Sequence, residues 1–324
     1  MATKTTTKKV SAATRAKLSK ATKKRARNDK GELKAGKVIV KVKAPTASKA
    51  PQTRVHSSLE MSKVFASSGQ TSLAALKDLA VHPEEEVRLL VALNSKTPFK
   101  VALKIVQESE NIKFIVAEHT QTNPEILEAL STDKDPDVLI ALAGNRNTPK
   151  EVLTVLANHN EGAVREAVAE NINTPAKVLT QLSTDKSLFV RGLVGCNPNV
   201  SKKILAKLAK DEEWSVRQSA AFHENTESEV LLSLVDDEQV DVLYALAENP
   251  STPAEALDKL ACNKNPQIQA YVVDNPNVSV EALKDLALSE TKFVRDAVYR
   301  HAKTPESIRK SLKALEESAN RSRF

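Results

Sequence analysis

A unit of 26 residues recurs along this chain, and nothing else in the sequence restricts the possible folds so strongly. Its first position reads Thr71, Thr97, Thr122, Thr148, Thr174, Val200, Thr226, Thr252, Val278 and Thr304, with one step of 25 residues between Thr97 and Thr122. Self-similarity at such a period specifies a stack of small supersecondary units, each burying its apolar face on the next. Each unit predicts two helices. Thr148 is placed to cap the N–H groups of the following turn, with Pro149 at the first helical position, where a missing N–H is no loss. Val152, Leu153 and Leu156 then share one helical face.

Rows across the units describe the core. Five residues after the threonine stand Leu76, Ala102, Leu127, Leu153, Leu179, Leu205, Leu231, Leu257 and Leu283. Eight residues after it the row runs from Leu79 through Ile105 and Leu130 to Leu312. A second, shorter helix is predicted around Val87, Ile112, Val138, Val164, Val190, Val216, Val242, Ile268 and Val294. Five residues on, Ala92, Ala117, Ala143, Ala169, Gly195, Ala221 and Ala247 form a row of small side chains that lets neighbouring helices approach closely. Val273 and Tyr299 break this row, through a wider spacing or an outward side chain. The unit closes on Asn94, Asn145, Asn171, Asn197, Asn249 and Asn275, or on His119, His223 and His301. Asparagine accepts the left-handed backbone that ends many helices and bonds to nearby backbone. The histidines are read as occupants of the same turn, because several repeats separate them and they cannot converge on one metal ion.

The formal net charge of +7 hides a division. Residues 1–56 hold 17 Lys and Arg against Asp29 and Glu32, a net +15, while the remainder holds 31 against 39, a net −8. A basic segment on a mildly acidic body points to an anionic partner for the basic part. Residues 1–58 are read as a disordered arm and linker, too poor in large apolar groups to offset ordering entropy. Within them Lys37 to Lys43 alternates Lys with Val and Ile, as a short strand or extended docking segment would. Residues 59–70 are read as an N-terminal cap and 71–324 as the solenoid, whose tenth unit is partial, with Arg309 at a core position and Asn320 where the valine belongs. The phosphate-directed residues expected in the arm are Lys8, Lys9, Arg15, Lys17, Lys20, Lys23, Lys24, Arg25, Arg27 and Lys30. A nuclear-import signal has similar composition, and a solubilising tail is the plainer alternative.

Other classes lack their signatures. No apolar run is long enough to span a membrane, and the N-terminus has neither the apolar core of a signal peptide nor the amphipathic stripe of a transit peptide. Cys196 and Cys262 occupy different repeat positions and are read as reduced thiols of an intracellular protein, cytoplasmic or nucleoid-associated, or nuclear in a eukaryote. Seven glycines leave no phosphate loop, and no zinc-protease, Cys-x-x-Cys or nucleophile-elbow pattern occurs, so no cofactor, metal or small-molecule substrate is expected. The acidic pairs Asp236–Asp237 and Glu212–Glu213 fall in turns and are read as solvated.

The Thr-Pro, Val-Leu, Leu-Ala, Val-Arg and Asn pattern over residues 71–312 resembles the leucine-rich repeat variant family, whose shape is close to HEAT-type repeats. The resemblance implies an all-α, right-handed superhelix of about ten two-helix repeats, with a 3₁₀ helix as an option for one of each pair. The founding type of that family carries an iron–sulfur module ahead of its repeats. Residues 1–70 contain no cysteine, so that cofactor is not carried over. Some HEAT-like relatives are DNA glycosylases with aromatic and acidic groups in a cleft, which makes such an enzyme one rival reading.

One basic row admits two readings. Arg88, Lys113, Arg165, Arg191, Arg217 and Arg295 follow the valine in most repeats, interrupted by Leu139, Leu243 and Gln269. Stacking would align them into a stripe able to track phosphates. Asp185 and Asp211, each six residues before an arginine of the row, favour a structural role, because repeats that resemble these use such pairs as bridges between units. Trp214, in the turn before a second helix, is a candidate partner anchor. The function expected is a non-catalytic adaptor whose arm binds nucleic acid, with DNA favoured over other polyanions, and whose solenoid binds a protein. The alternatives are a pure assembly scaffold and the glycosylase-type enzyme.

Overall fold

The computed structural model describes residues 59–321, which lie within one unit of contacts, Val55–Phe324. The readings made for residues 1–58, including the arm cations and the Lys37–Lys43 strand, fall outside the described residues. Twenty helices and no strand occur among the described residues. Helix α1 is Leu59–Ser67. Nine pairs follow: α2 (Leu73–Leu79) with α3 (Glu85–Leu93), α4 (Phe99–Gln107) with α5 (Glu110–Glu118), α6 (Pro124–Leu130) with α7 (Pro136–Gly144), α8 (Lys150–Leu156) with α9 (Gly162–Glu170), and α10 (Ala176–Leu182) with α11 (Leu188–Cys196). The remaining pairs are α12 (Lys202–Leu208) with α13 (Trp214–Phe222), α14 (Ser228–Ser233) with α15 (Val240–Glu248), α16 (Ala254–Ala261) with α17 (Pro266–Asp274), and α18 (Val280–Leu286) with α19 (Lys292–Arg300). Helix α20, Glu306–Arg321, ends the described chain.

The odd helices form one layer, each packing on the next along the stack, and the even helices form the other, packed mainly on the odd ones. Helix α1 packs on α2 and α3, so the odd layer begins with it. The core lies between the layers. The leucine rows and the valine row are buried along their whole length, and they make one continuous cluster. The small-residue row does what its composition requires. A Cβ added to Gly195 of α11 would stand 2.3 Å from Ser219 Oγ and 3.0 Å from Ser219 Cβ of α13. Of the two residues that break the row, Val273 is buried and Tyr299 points outward.

Four local expectations need correction. The second helix is the longer one in every pair but α4 and α5, which both have nine residues; it has nine residues against seven in most first helices, and both are α-helices. The first helix is cut short because the residue after the threonine, Pro149 or Pro175 for example, stays extended ahead of the helix. It is the cap, one position before the first helical residue. The threonine does not cap that helix either. Its hydroxyl donates backwards, from Thr148 to Leu142 O at 2.6 Å and from Thr226 to Ala220 O at 2.6 Å, sealing a carbonyl at the end of the preceding odd helix. The closing asparagine, finally, is extended rather than left-handed, with φ −67° and ψ 124° at Asn171.

That asparagine bonds mainly between repeats. Asn171 Nδ2 donates to Ala143 O at 2.7 Å and to Asn145 O at 2.9 Å, both one repeat earlier, while its Oδ1 accepts the N–H of Asn173. Asn94, Asn145, Asn197, Asn249 and Asn275 repeat the pattern. The histidines hold the local half of it, each accepting from the N–H two residues on, and His223 Nε2 also lies 3.2 Å from Asn197 O. Two residues further, Asn277 reaches Pro250 O at 2.7 Å, and Asn147, Asn173 and Asn199 make equivalent bonds.

The tenth unit, read as partial, does not break into two helices and runs on as the 16-residue α20. Arg309 sits half-buried with its guanidinium on His301 O at 2.8 Å.

Replacing Asn171 by Ala strips the buried Ala143 carbonyl of its donor and leaves Asn145 O with the N–H of Thr148 alone. Asn171→Ala should cost about 2–3 kcal/mol in urea denaturation, and Asn171→His about 1 kcal/mol, because a histidine can supply one of the two bonds.

Candidate functional site

The basic row is largely engaged within the stack. Arg165, Arg191 and Arg217 each stand in the second turn of an odd helix, and their guanidinium groups turn toward the loop of the following repeat. Arg165 donates to both carboxylate oxygens of Asp185, at 2.6 and 2.9 Å. Arg191 does the same to Asp211 at 2.7 Å, and Arg217 to Asp237 at 2.6 and 3.0 Å. A third guanidinium N–H in each case serves the arginine's own loop, as in Arg191 to Asp185 O at 2.9 Å. The acid six residues before the arginine therefore meets it through its backbone carbonyl. The carboxylate partner lies 20 residues after it, one repeat on. Asp185 and Asp211 thus join two arginines each, and the bonds run unbroken from Arg165 to Asp237.

Burial raises the carboxyl pKa of Asp185, Asp211 and Asp237. The arginine bonds and the N–H groups of Ser187, Glu213 and Gln239 outweigh it, leaving all three below the ordinary carboxylate range. Asp237 is therefore not a solvated turn residue: its side chain is only 6% exposed. Its neighbour Asp236 is exposed.

The rest of the row follows the same rule with different chemistry. Lys113 meets Asp133 at 2.9 Å. Gln269 accepts from the hydroxyl of Ser289 at 2.7 Å. Leu139 and Leu243 stand at the arginine's position where the residue 20 positions on is His159 or Asn263 rather than an acid. Arg88 is the exception. The shortened turn leaves only Glu108 and Ser109 between α4 and α5, and Glu108 stays 3.8 Å from Arg88 Nε, which is buried without a hydrogen-bond partner. Arg295 is bonded to the carbonyls of Ser289 and Glu290.

The outer surface of the odd layer has a different character. From α7 to α17 the only cations on odd helices are Arg165, Arg191 and Arg217. The acids on the same helices are Asp137, Glu166, Glu170, Asp241, Glu248 and Asp274. None of the six is buried. Between α11 and α13 the acidic surface gives way to an apolar groove of about 380 Å³, lined by Leu188, Phe189, Gly192, Leu193, Cys196 and Phe222, with Ser215, Gln218 and Ser219 on the α13 side. Phe189 is 63% exposed and Phe222 56% exposed. Trp214 is not in a turn but is the first residue of α13, and it is 39% exposed. Partial shielding, and then the charge of Glu170, push the Cys196 thiol up, away from a reactive thiolate. Both cysteines are free and exposed. Among the described residues no group of three His, Cys, Asp or Glu is arranged to hold a metal ion, and no helix is long and apolar enough to cross a membrane.

Asp211→Ala should cost about 3 kcal/mol, because it leaves Arg191 largely buried without its carboxylate. Arg191→Leu combined with Asp211→Asn copies the Leu243 and Asn263 arrangement and should recover most of that loss. The depressed carboxylates stabilise the fold fully above their unfolded pKa of about 3.9, and that contribution is lost as pH falls through the lower folded values. Urea midpoints should therefore drop in acid below about pH 4, and replacing Asp185, Asp211 and Asp237 together by Asn should flatten that part of the profile.

No family model matches the sequence, and no curated protein does. Among solved structures, the fold is similar to a leucine-rich repeat variant described as having a novel repetitive structural motif, at 20% identity and a TM-score of 0.48, over 73% of this chain and 89% of that one. An engineered protein aligns at 14% identity with a TM-score of 0.29, over 79% of this chain and 87% of that one.

Proposed function

We propose that the protein is a non-catalytic adaptor. Its basic N-terminal arm holds nucleic acid, DNA in preference, through phosphate contacts that do not read sequence, and its helical-repeat scaffold holds a protein. The observation that carries this is the distribution of uncommitted cations. On the solenoid, Arg165, Arg191 and Arg217 are bonded to carboxylates of the next repeat, and the odd helices from α7 to α17 offer a phosphate backbone only acids. Residues 1–56 hold 17 Lys and Arg against two acids. Phosphate affinity belongs where cations outnumber their partners. Carboxylates at loop positions already saturated by arginine are also poor general acids or bases, which supports binding over catalysis.

DNA-binding titrations test this division. With six to ten arm cations engaged, affinity should fall by about 10³ to 10⁵ between 50 and 200 mM salt. Changing Lys23, Lys24, Arg25 and Arg27 to Ala should reduce the salt slope while the helical circular dichroism holds. Arg165→Ala should lower the melting temperature and leave the slope unchanged. Deletion of residues 1–56 without loss of DNA affinity would overturn the assignment, and release of a modified base from DNA would make the protein an enzyme.

A further inference from the structure

We propose that the groove between α11 and α13 docks a basic segment of the partner protein, a run of Lys and Arg carrying one apolar side chain that seats between Phe189 and Phe222. This deepens the adaptor reading, on which it rests, by naming the chemistry of what the scaffold holds. The groove departs locally from the pattern of its layer. At the second helical position α9 has Ala163, α13 has Ser215 and α15 has Asp241, where α11 has Phe189. At the last position α9 and α15 have Glu170 and Glu248, where α11 and α13 have Cys196 and Phe222. An apolar opening of about 380 Å³ is the size of a small binding pocket.

Gly192 deepens it. A Cβ added there meets nothing within 4 Å, so core packing does not require the glycine, and its absent side chain is space left for an occupant. Gly195 on the same helix is the opposite case, forced by the approach of Ser219.

Charge selects the occupant. Glu170 lies close enough to Cys196, in the groove lining, to raise its thiol pKa, and the lining residue Gln218 bonds the backbone of Asp241 on the other side. Glu170 therefore bears on the groove from one side, half-exposed Asp241 stands on the helix next to its other wall, and the odd helices from α7 to α17 provide no free cation to cancel them. Acidic and phosphorylated segments would be repelled, whereas lysines on both sides of a buried apolar residue would find partners.

Trp214, the one tryptophan of the chain, stands at the start of α13 and reports on the groove by its fluorescence. The full chain is titrated with a short lysine-rich peptide bearing one central Phe, with the same peptide carrying Ser for Phe, and with a version carrying Glu for every Lys. The first should bind at about 1–100 μM and the controls at least about tenfold more weakly. Gly192→Leu fills the groove and replaces a glycine within a helix, so it should weaken peptide binding by about tenfold or more while the melting temperature holds or rises. Glu170→Lys with Asp241→Lys should weaken it similarly and remove its salt dependence. The proposal fails if Gly192→Leu binds as wild type, if the glutamate peptide binds equally, or if nothing binds up to about 1 mM. It also fails if sedimentation shows a self-associated chain that Gly192→Leu dissociates, which would assign the groove to a second copy. DNA titration of Gly192→Leu separates the two readings. Unchanged DNA affinity is required by the adaptor division, and its loss would overturn that division whatever the peptide does.

Discussion

Helices of seven to nine residues cannot satisfy their own backbone. An α-helix leaves its last four carbonyls without intrahelical donors, close to half of such a short helix. At the end of α9 several donors come from outside the helix. Val168 O takes the hydroxyl of Thr174, Ala169 O takes Asn197 Nδ2, and Asn171 O takes Asn197 Nδ2 together with the N–H of Thr174. Two of these bonds come from Asn197 of the next repeat. The stack is therefore held by hydrogen bonds that only a neighbour at the right distance can supply, as well as by the buried leucines. A single repeat would lose both at once.

The same logic governs the charged residues. A guanidinium enters the low-dielectric space between loops only where a carboxylate and backbone carbonyls fill its hydrogen-bonding fork. Arg165, Arg191 and Arg217 meet that condition through Asp185, Asp211 and Asp237. Where Gln269 replaces the cation its partner is Ser289, and where Leu243 replaces it the residue 20 positions on is Asn263 rather than an acid. A cation so engaged is lost to an outside ligand. The basic row thus lends the stack specificity and leaves the odd face with negative charge.

Departures from the unit are local and have local consequences. Val200 and Val278 replace the threonine hydroxyl with buried methyl groups, and Val194 O then keeps the backbone N–H of Asn197. The turn shortened by one residue displaces Glu108, so Arg88 alone of the arginines at this position has a buried Nε without a partner. A turn absorbs a deletion cheaply in its own backbone. The bridge that spans it does not, because its geometry is fixed by the repeat on each side.

The sequence by itself determined the repeat, the core rows and the small-residue row. Each follows from a period in the chain, and burial acts on side chains whatever their exact partner is. The Arg–Asp bridges were only half legible. The acid six residues before Arg191 and Arg217 was visible, yet the carboxylate that binds each arginine lies 20 residues after it. Sequence proximity favours the near residue, and only the stacking of one loop beside the next brings the far one within 3 Å. The closing asparagines were misread for the same reason: local rules describe how one helix ends, whereas here the acceptors sit 26 and 28 residues back. The groove between α11 and α13 had no sequence signal at all. Phe189 and Phe222 lie 33 residues apart at different repeat positions, and they border one groove because tertiary packing places α11 against α13.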